Sequence, residues 1–274
     1  MINETVREAF DRDLAKFQEV LEDAVTASAA ANGTLGSARM GWCSFLHARA
    51  VSNAMSIVTL IQSATDQQPG QQALDHFAIA SIGRTMMETC VVVAYLSDLS
   101  VDMERWKLMK AAIDLHDATH RTRIFKPLVE EFGGDIAAMM AEFPEARTML
   151  RKRMRENAGF SKLSRDDRDN LISGRDFLIG GIDVVVQQVG GDLSSFKHAH
   201  SYFSAFVHST PVSFHRAETH KIDFSTISTF QYNLCQAVMS YTSPWLRVSA
   251  DSIRGLIAHD PLFELQSPYA SPQL

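Results

Sequence analysis

The sequence predicts a mostly α protein: a single helical bundle with a buried central helix at about 71–97 and an insertion of short helices at about 127–180. Three observations predict it. Apolar residues recur at spacings of three and four over long stretches, as on one face of an α-helix. One stretch, "FAIASIGRTMMETCVVVAYL", is apolar on nearly all faces, which suits a helix surrounded by others. Strand signals are thin: the β-branched run "IDVVVQQV" at 182–189 has no alternating partner nearby.

Taken in order, Val6, Phe10, Leu14, Phe17, Leu21 and Val25 mark a first amphipathic helix, with Asn3 as a cap before it and Gly33 as a stop. A second helix runs from about Ser37 to Ala64 on Met40, Cys43, Val51, Ala54, Ile57, Val58 and Ile61. Pro69-Gly70 breaks the chain before the central helix. Asp102 opens a fourth helix, and Lys126-Pro127 is expected to close it. Between 127 and 180, Gly133-Gly134, Pro144, "NAGFSKLS" and "SGRDFLIGG" punctuate short helical pieces laid over one end of the bundle. "GGDLSSFKHAHSYFSAFVHS" reads as a helix capped by Asp192 or Ser194. A last helix spans Ser225 to about His259, and Pro244 should kink or divide it. Residues 1–260 are expected to form one domain, and 261–274 an extended or flexible tail.

The bulk numbers narrow the function classes. Hydrophobic content of 46% and charged content of 21% suit a folded soluble chain. A net charge of -6 argues against a nucleic-acid-coating role, though not against a local basic groove. Cys43, Cys90 and Cys235 are odd in number and far apart, with no CxxC pair, so a disulfide framework and a thiolate zinc site are not expected. The N-terminus "MINETVREAFDRDLAKF" has no apolar core of a secretory signal, and no run of about 18 uninterrupted apolar residues occurs. A cytoplasmic protein with no membrane association is the expectation.

Arg84 and Glu88 are the charged residues of "SIGRTMMETCVVVAYL", one helical turn apart on one face. Charges placed in a central helix need partners, because isolated they would be costly. Arg before Glu is also the less favourable i,i+4 order, so local helix stability does not explain the pair. A polar pocket in the bundle would use Arg84 to hold an anion and Glu88 as base or ligand. A buried ion pair fixing helix register is the structural alternative.

Five of the ten histidines lie between 197 and 220 in "KHAHSYFSAFVHSTPVSFHRAETH". Counting back from His208 puts Ser204 and Ser201 on roughly its own face, at the margin of an apolar stripe formed by Phe196, Phe203 and Val207. His198, His215 and His220 read as solvent-facing or loop-borne. The five do not form one spaced ligand set, and no H-E-x-x-H motif is present. His116 and His120 in "DLHDATH" are an i,i+4 pair able to hold a divalent metal, but an exposed polar face is the better expectation. No metal and no cofactor are predicted.

Three parts in order, "SNAMSIVTLIQ", "GRTMMETCVVVAYL" and "YFSAFVHST", resemble a widespread bacterial helical family known as a domain of unknown function. The resemblance covers about 45–98 and 200–210. It implies a grouping of Arg84, Glu88, Ser204 and His208, and no reaction. "RGLIAH", from Arg254 to His259, is more weakly similar to the Arg-x4–6-His motif of HEPN ribonucleases, with Gly255 where those carry a polar residue. "RTMLRKRMREN", with Arg147, Arg151, Lys152, Arg153 and Arg155, could track a phosphate backbone or be a solvated face.

Three readings remain open at this stage. In the first, the chain is a hydrolase of RNA or another phosphate-bearing substrate. Arg84, Glu88 and His208 would then be catalytic, and Ser204 and Tyr202 would bind substrate. In the second, it is a non-catalytic module binding a small anion or a protein, anchored by Arg84. In the third, Arg84, Glu88 and His208 form a closed structural network and function lies elsewhere. Homodimerisation through the first or the last long helix is the expected mode of association.

Overall fold

The computed structural model describes residues 4–33, 36–68, 71–133, 138, 140–222 and 225–260. Ten α-helices and one 3-10 turn are delimited among them, and no strand occurs among the described residues. In chain order the helices are α1 (Glu4–Ala31), α2 (Ala38–Thr65), α3 (His76–Leu96), α4 (Met103–Phe132), α5 (Phe143–Glu156), α6 (Arg165–Ser173), α7 (Gly181–Gln188), α8 (Leu193–Val207), α9 (Pro211–Thr219) and α10 (Thr229–His259). The mostly α class read from periodicity is therefore the class observed. The expected cap at Asn3, the break at Pro69-Gly70 and the 261–274 tail lie outside the described residues.

The chain divides into two compact units, one of Met1–Leu99 with Val186–Leu274 and one of Ser100–Val185. The predicted insertion at 127–180 falls within the second of these.

In the first unit, α3 packs against α2, α8 and α10, and α1 packs against α10 and α2. Its N-terminus is fixed by Asp75, whose carboxylate accepts from the Ala78 N–H at 2.9 Å. From there Ile79, Met86, Met87, Cys90, Val91 and Val93 are fully buried. Each such side chain contributes roughly 1.5–3 kcal/mol by leaving water. Phe10 and Phe17 of α1, Ile57 and Ile61 of α2, and Leu246 and Ile253 of α10 complete the core. Close approach of α3 and α10 depends on Gly83: a Cβ there would meet Cγ1 of Val238 at 2.6 Å. By length and composition α3 could cross a membrane, with mean hydropathy 1.4 over its window, of which 56% is buried by the rest of the chain.

One proline expectation is corrected: the fourth helix does not close at Lys126-Pro127 but runs on to Phe132. Of the two outcomes expected at Pro244, division does not occur, since α10 is continuous through it. A proline removes one N–H and crowds one carbonyl. Pro127 lies on an exposed length of α4, where the Arg123 carbonyl can turn to water. At Pro244 the packed flanks hold the helix: Met239, Trp245 and Leu246 are all buried. The ambiguous "IDVVVQQV" run is α7, so a helix.

In the second unit α4 packs against α5 and α6. Trp106, Leu108, Met109, Leu115, Leu150, Met154, Phe160 and Leu171 form a smaller core. Gly174 closes α6 in the left-handed conformation (φ 71°), and a side chain there would strike Thr119.

Candidate functional site

The polar cluster of the first unit is built on two helices. α3 supplies Arg84 and Glu88 on one face, immediately after Gly83 lets α10 close on the opposite side. α8 supplies His200 and, at its end, His208. Asp192 starts α8 by accepting from the N–H groups of Ser194 and Ser195, which sets its register. Phe196, Ala199, Phe203 and Phe206 then bury its apolar face.

Oε1 of Glu88 is the hub. It accepts from Nη2 of Arg84 at 3.1 Å and lies 2.7 Å from Nε2 of His200. Nε of Arg84 also faces Nε2 of His200, at 3.3 Å. One imidazole nitrogen cannot donate to the carboxylate and accept from the guanidinium together. The shorter contact decides the tautomer: Nε2 of His200 carries the proton and donates to Glu88. The Arg84 Nε–H is then a donor in search of an acceptor. Among the described residues, Oε2 of Glu88 takes no hydrogen bond.

His208 completes the group from the other side, with Nε2 at 3.5 Å from Nη1 of Arg84. It is the residue just past α8 (φ -96°), and its N–H bonds back to the Ser204 carbonyl at 3.1 Å. Ser209 follows at φ 46°, a left-handed conformation that costs a non-glycine residue about 1 kcal/mol. The turn into α9 thus holds His208 at the helix end. The cluster is open to solvent, with side-chain exposures of 20% for Arg84, 43% for Glu88 and 31% for His200. His208 itself is exposed.

Of the residues singled out from sequence, Arg84, Glu88 and His208 come together. Ser204 is half-buried one turn after His200, tied to His208 through its backbone carbonyl. Tyr202 sits two residues from His200, on a different side of α8. Its ring meets Phe206 edge-on at 5.4 Å and stacks over His198 at 6.2 Å, and burial pushes its hydroxyl pKa up, with Arg216 opposing. The residue that sequence reasoning missed is His200. It lies one turn before Ser204, so stepping back from Ser204 by four, to His200, rather than by three, to Ser201, would have found it.

The other motifs resolve into local contacts. His198 neighbours Tyr241, His215 pairs with Glu218 at 3.4 Å, and His220 stacks on Phe230 at 4.6 Å. The rings of His116 and His120 lie 4.1 Å apart, tilted by 39°; Nδ1 of His116 donates to the Gly174 carbonyl and His120 faces Arg123. Burial, reinforced by His120, pushes the His116 pKa down. Among the described residues no group of three His, Cys, Asp or Glu is placed to hold a metal ion. Arg254 gives its guanidinium to Asp23 and Asp251. On α5, Arg151 donates to the Ile172 carbonyl at 3.0 Å and Lys152 approaches Glu156 at 3.9 Å. No family model matches the chain, and neither a curated protein nor a solved structure matches it.

Proposed function

We propose that Arg84, Glu88, His200 and His208 form a hydrolytic site for a phosphate-bearing substrate. Arg84 grips the phosphate through donors not spent on Glu88, His208 moves the proton, and Glu88 with His200 holds the guanidinium in place. The observation that carries this reading is the exposed His208 imidazole, 3.5 Å from Nη1 of a guanidinium anchored on its far side by a carboxylate. Arginine matches the planar, bidentate geometry of phosphate, and histidine titrates near neutrality, so the pair suits charge stabilisation with proton transfer. The exposure of Glu88 and His200 speaks against a sealed structural network, whose members would be dry. RNA is one substrate of this class. The three buried, reduced cysteines fit the reducing cytoplasm that we propose as its setting.

The test is thermal unfolding of wild type, Arg84→Ala and His208→Ala with and without phosphate, followed by turnover of a phosphodiester and of RNA. Phosphate should raise the Tm of wild type and leave Arg84→Ala unmoved. His208→Ala should lose turnover while keeping the phosphate response. Variants that melt several kcal/mol lower, with no phosphate response in the wild type, would assign the cluster to the architecture instead. A phosphate response without turnover in the wild type would make it an anion-binding module.

A further inference from the structure

α8 and α10 carry a ledge of aromatic rings on the side of α8 away from His200. His198 and Tyr202, one turn apart, lie 6.2 Å apart with their planes only 15° from parallel. Tyr241 of α10 lies 6.2 Å from His198, tilted by 47°. Ring faces in contact sit roughly 3.5–4 Å apart, so at these separations part of each face stays uncovered. His198 is exposed and both tyrosines are half-buried, so the rings present surface to a ligand.

The polar ends of these side chains are uncommitted. Among the described residues, neither the Tyr202 nor the Tyr241 hydroxyl nor the His198 ring makes a hydrogen bond. Tyr232 is the structural contrast: it is buried, and its hydroxyl accepts from Nη1 of Arg7 at 3.0 Å. The charge at the ledge is positive. Burial pushes the Tyr202 hydroxyl pKa up and Arg216 of α9 opposes it, so that guanidinium is within electrostatic reach of the ring. Arg216 is exposed, and its side chain has no ion pair or hydrogen bond among the described residues. No carboxylate occurs in α8 or in α10 from Thr229 to Ala250, and Glu218 of α9 faces His215 at 3.4 Å.

We propose that this ledge binds a planar aromatic anion, its ring laid against His198, Tyr202 and Tyr241 and its phosphate or carboxylate at Arg216. A nucleotide and an aromatic acid share that chemistry. Stacking on an aromatic side chain is worth about tenfold or more in affinity, and a guanidinium holds either anion in a bidentate grip. A cationic ligand over the same rings would meet Arg216 with no carboxylate to offset it. Bare phosphate would leave the rings unused. No residue of the ledge belongs to the Arg84 cluster, so this site and the hydrolytic reading stand or fall separately.

Titration calorimetry of AMP and of 1-naphthoate tests the proposal, with adenosine and 1-naphthylmethanol as uncharged controls. Wild type and Arg84→Ala are both titrated, since the second removes the other anion site. At least one of the two anions should bind both chains, and more tightly than its uncharged control. Tighter AMP would make the ligand a nucleotide, tighter naphthoate an aromatic acid. Arg216→Glu and His198→Ala, at exposed positions that leave the core intact, should each weaken binding by about tenfold or more. Of the five tyrosines, Tyr202 and Tyr241 should show the ring signals that move in NMR spectra of tyrosine-labelled protein. Absence of binding to Arg84→Ala would overturn the proposal. So would binding that survives Arg216→Glu, or uncharged controls that bind equally.

Discussion

Arg39 and Asp260, 221 residues apart in the chain, form an ion pair at 2.8 Å with both side chains out of water. Arg39 is fully buried at the start of α2, and Asp260 caps the end of α10. The second Arg39 nitrogen, Nη1, donates to the Asp98 carbonyl at 3.0 Å. The Ser37 hydroxyl donates to the other Asp260 oxygen while accepting from the Met40 N–H. One carboxylate thereby fixes a helix start and a helix end together. Asp260→Asn should cost about 3–5 kcal/mol, because it strands a buried guanidinium, whereas Arg39→Met with Asp260→Leu should cost much less. Urea unfolding of the single and double variants measures both.

Packing at Gly83 gives an opposed pair of effects. Alanine improves helix propensity by about 1 kcal/mol, yet its methyl would lie 2.6 Å from Cγ1 of Val238 in the core. Overpacking of this kind costs about 1–3 kcal/mol, so Gly83→Ala should be destabilising on balance. Adding Val238→Ala should recover part of the loss in the same denaturation experiment, because it makes room for the methyl.

His47 predicts a pH dependence. Its Nε2–H donates to the Ala24 carbonyl at 3.0 Å, leaving Nδ1 to accept from the Ser249 hydroxyl at 2.8 Å. Burial, aided by Arg254, holds its pKa below the ordinary 6.5, against the opposing pull of the Ala24 carbonyl. The unfolded chain therefore binds a proton first as pH falls through about 6.5, and stability drops with it. His76, also buried, shifts the same way. Unfolding free energy should be lower at pH 5.5 than at pH 7.5, by up to about 1.4 kcal/mol per pH unit from His47. His47→Gln should flatten that slope; an unchanged slope would place the effect elsewhere.

At the Arg84 cluster, anchoring and stability should separate. Glu88→Gln weakens the hold on a guanidinium whose partners are partly exposed and screened, so unfolding should shift by about 1 kcal/mol or less. Phosphate binding should nonetheless weaken measurably by calorimetry, because Arg84 loses its orienting charge. A large stability loss with unchanged phosphate affinity would reverse this assignment.

The helices were legible in the sequence because burial imposes period 3.6 on Phe10, Phe17, Ile57 and Ile61 alike, and caps such as Asp102 and Asp192 are local chemistry. The Ser228–Gln231 capping box was equally local and would have moved the predicted start of the last helix from 225 to 229. Pro127 misled, and the division allowed for at Pro244 does not occur, because a breaker acts only when the surroundings do not compensate. Arg84 with Glu88 stood out as charges in an apolar run. His200 did not, since counting began at His208, which lies beyond the helix whose period was being used. The pairing of Arg39 with Asp260 joins two ends of the chain, and no spacing rule reaches that far.

Cys43, Cys90 and Cys235 sit on α2, α3 and α10, all buried, and burial pushes each thiol up to about 12. A thiol with that acidity, shut away from solvent, is chemically silent at neutral pH. Each becomes reactive only when its helix opens. Three clocks are thus built into one unit, and the rates at which an aromatic disulfide reagent modifies them report how often each of those helices lets go.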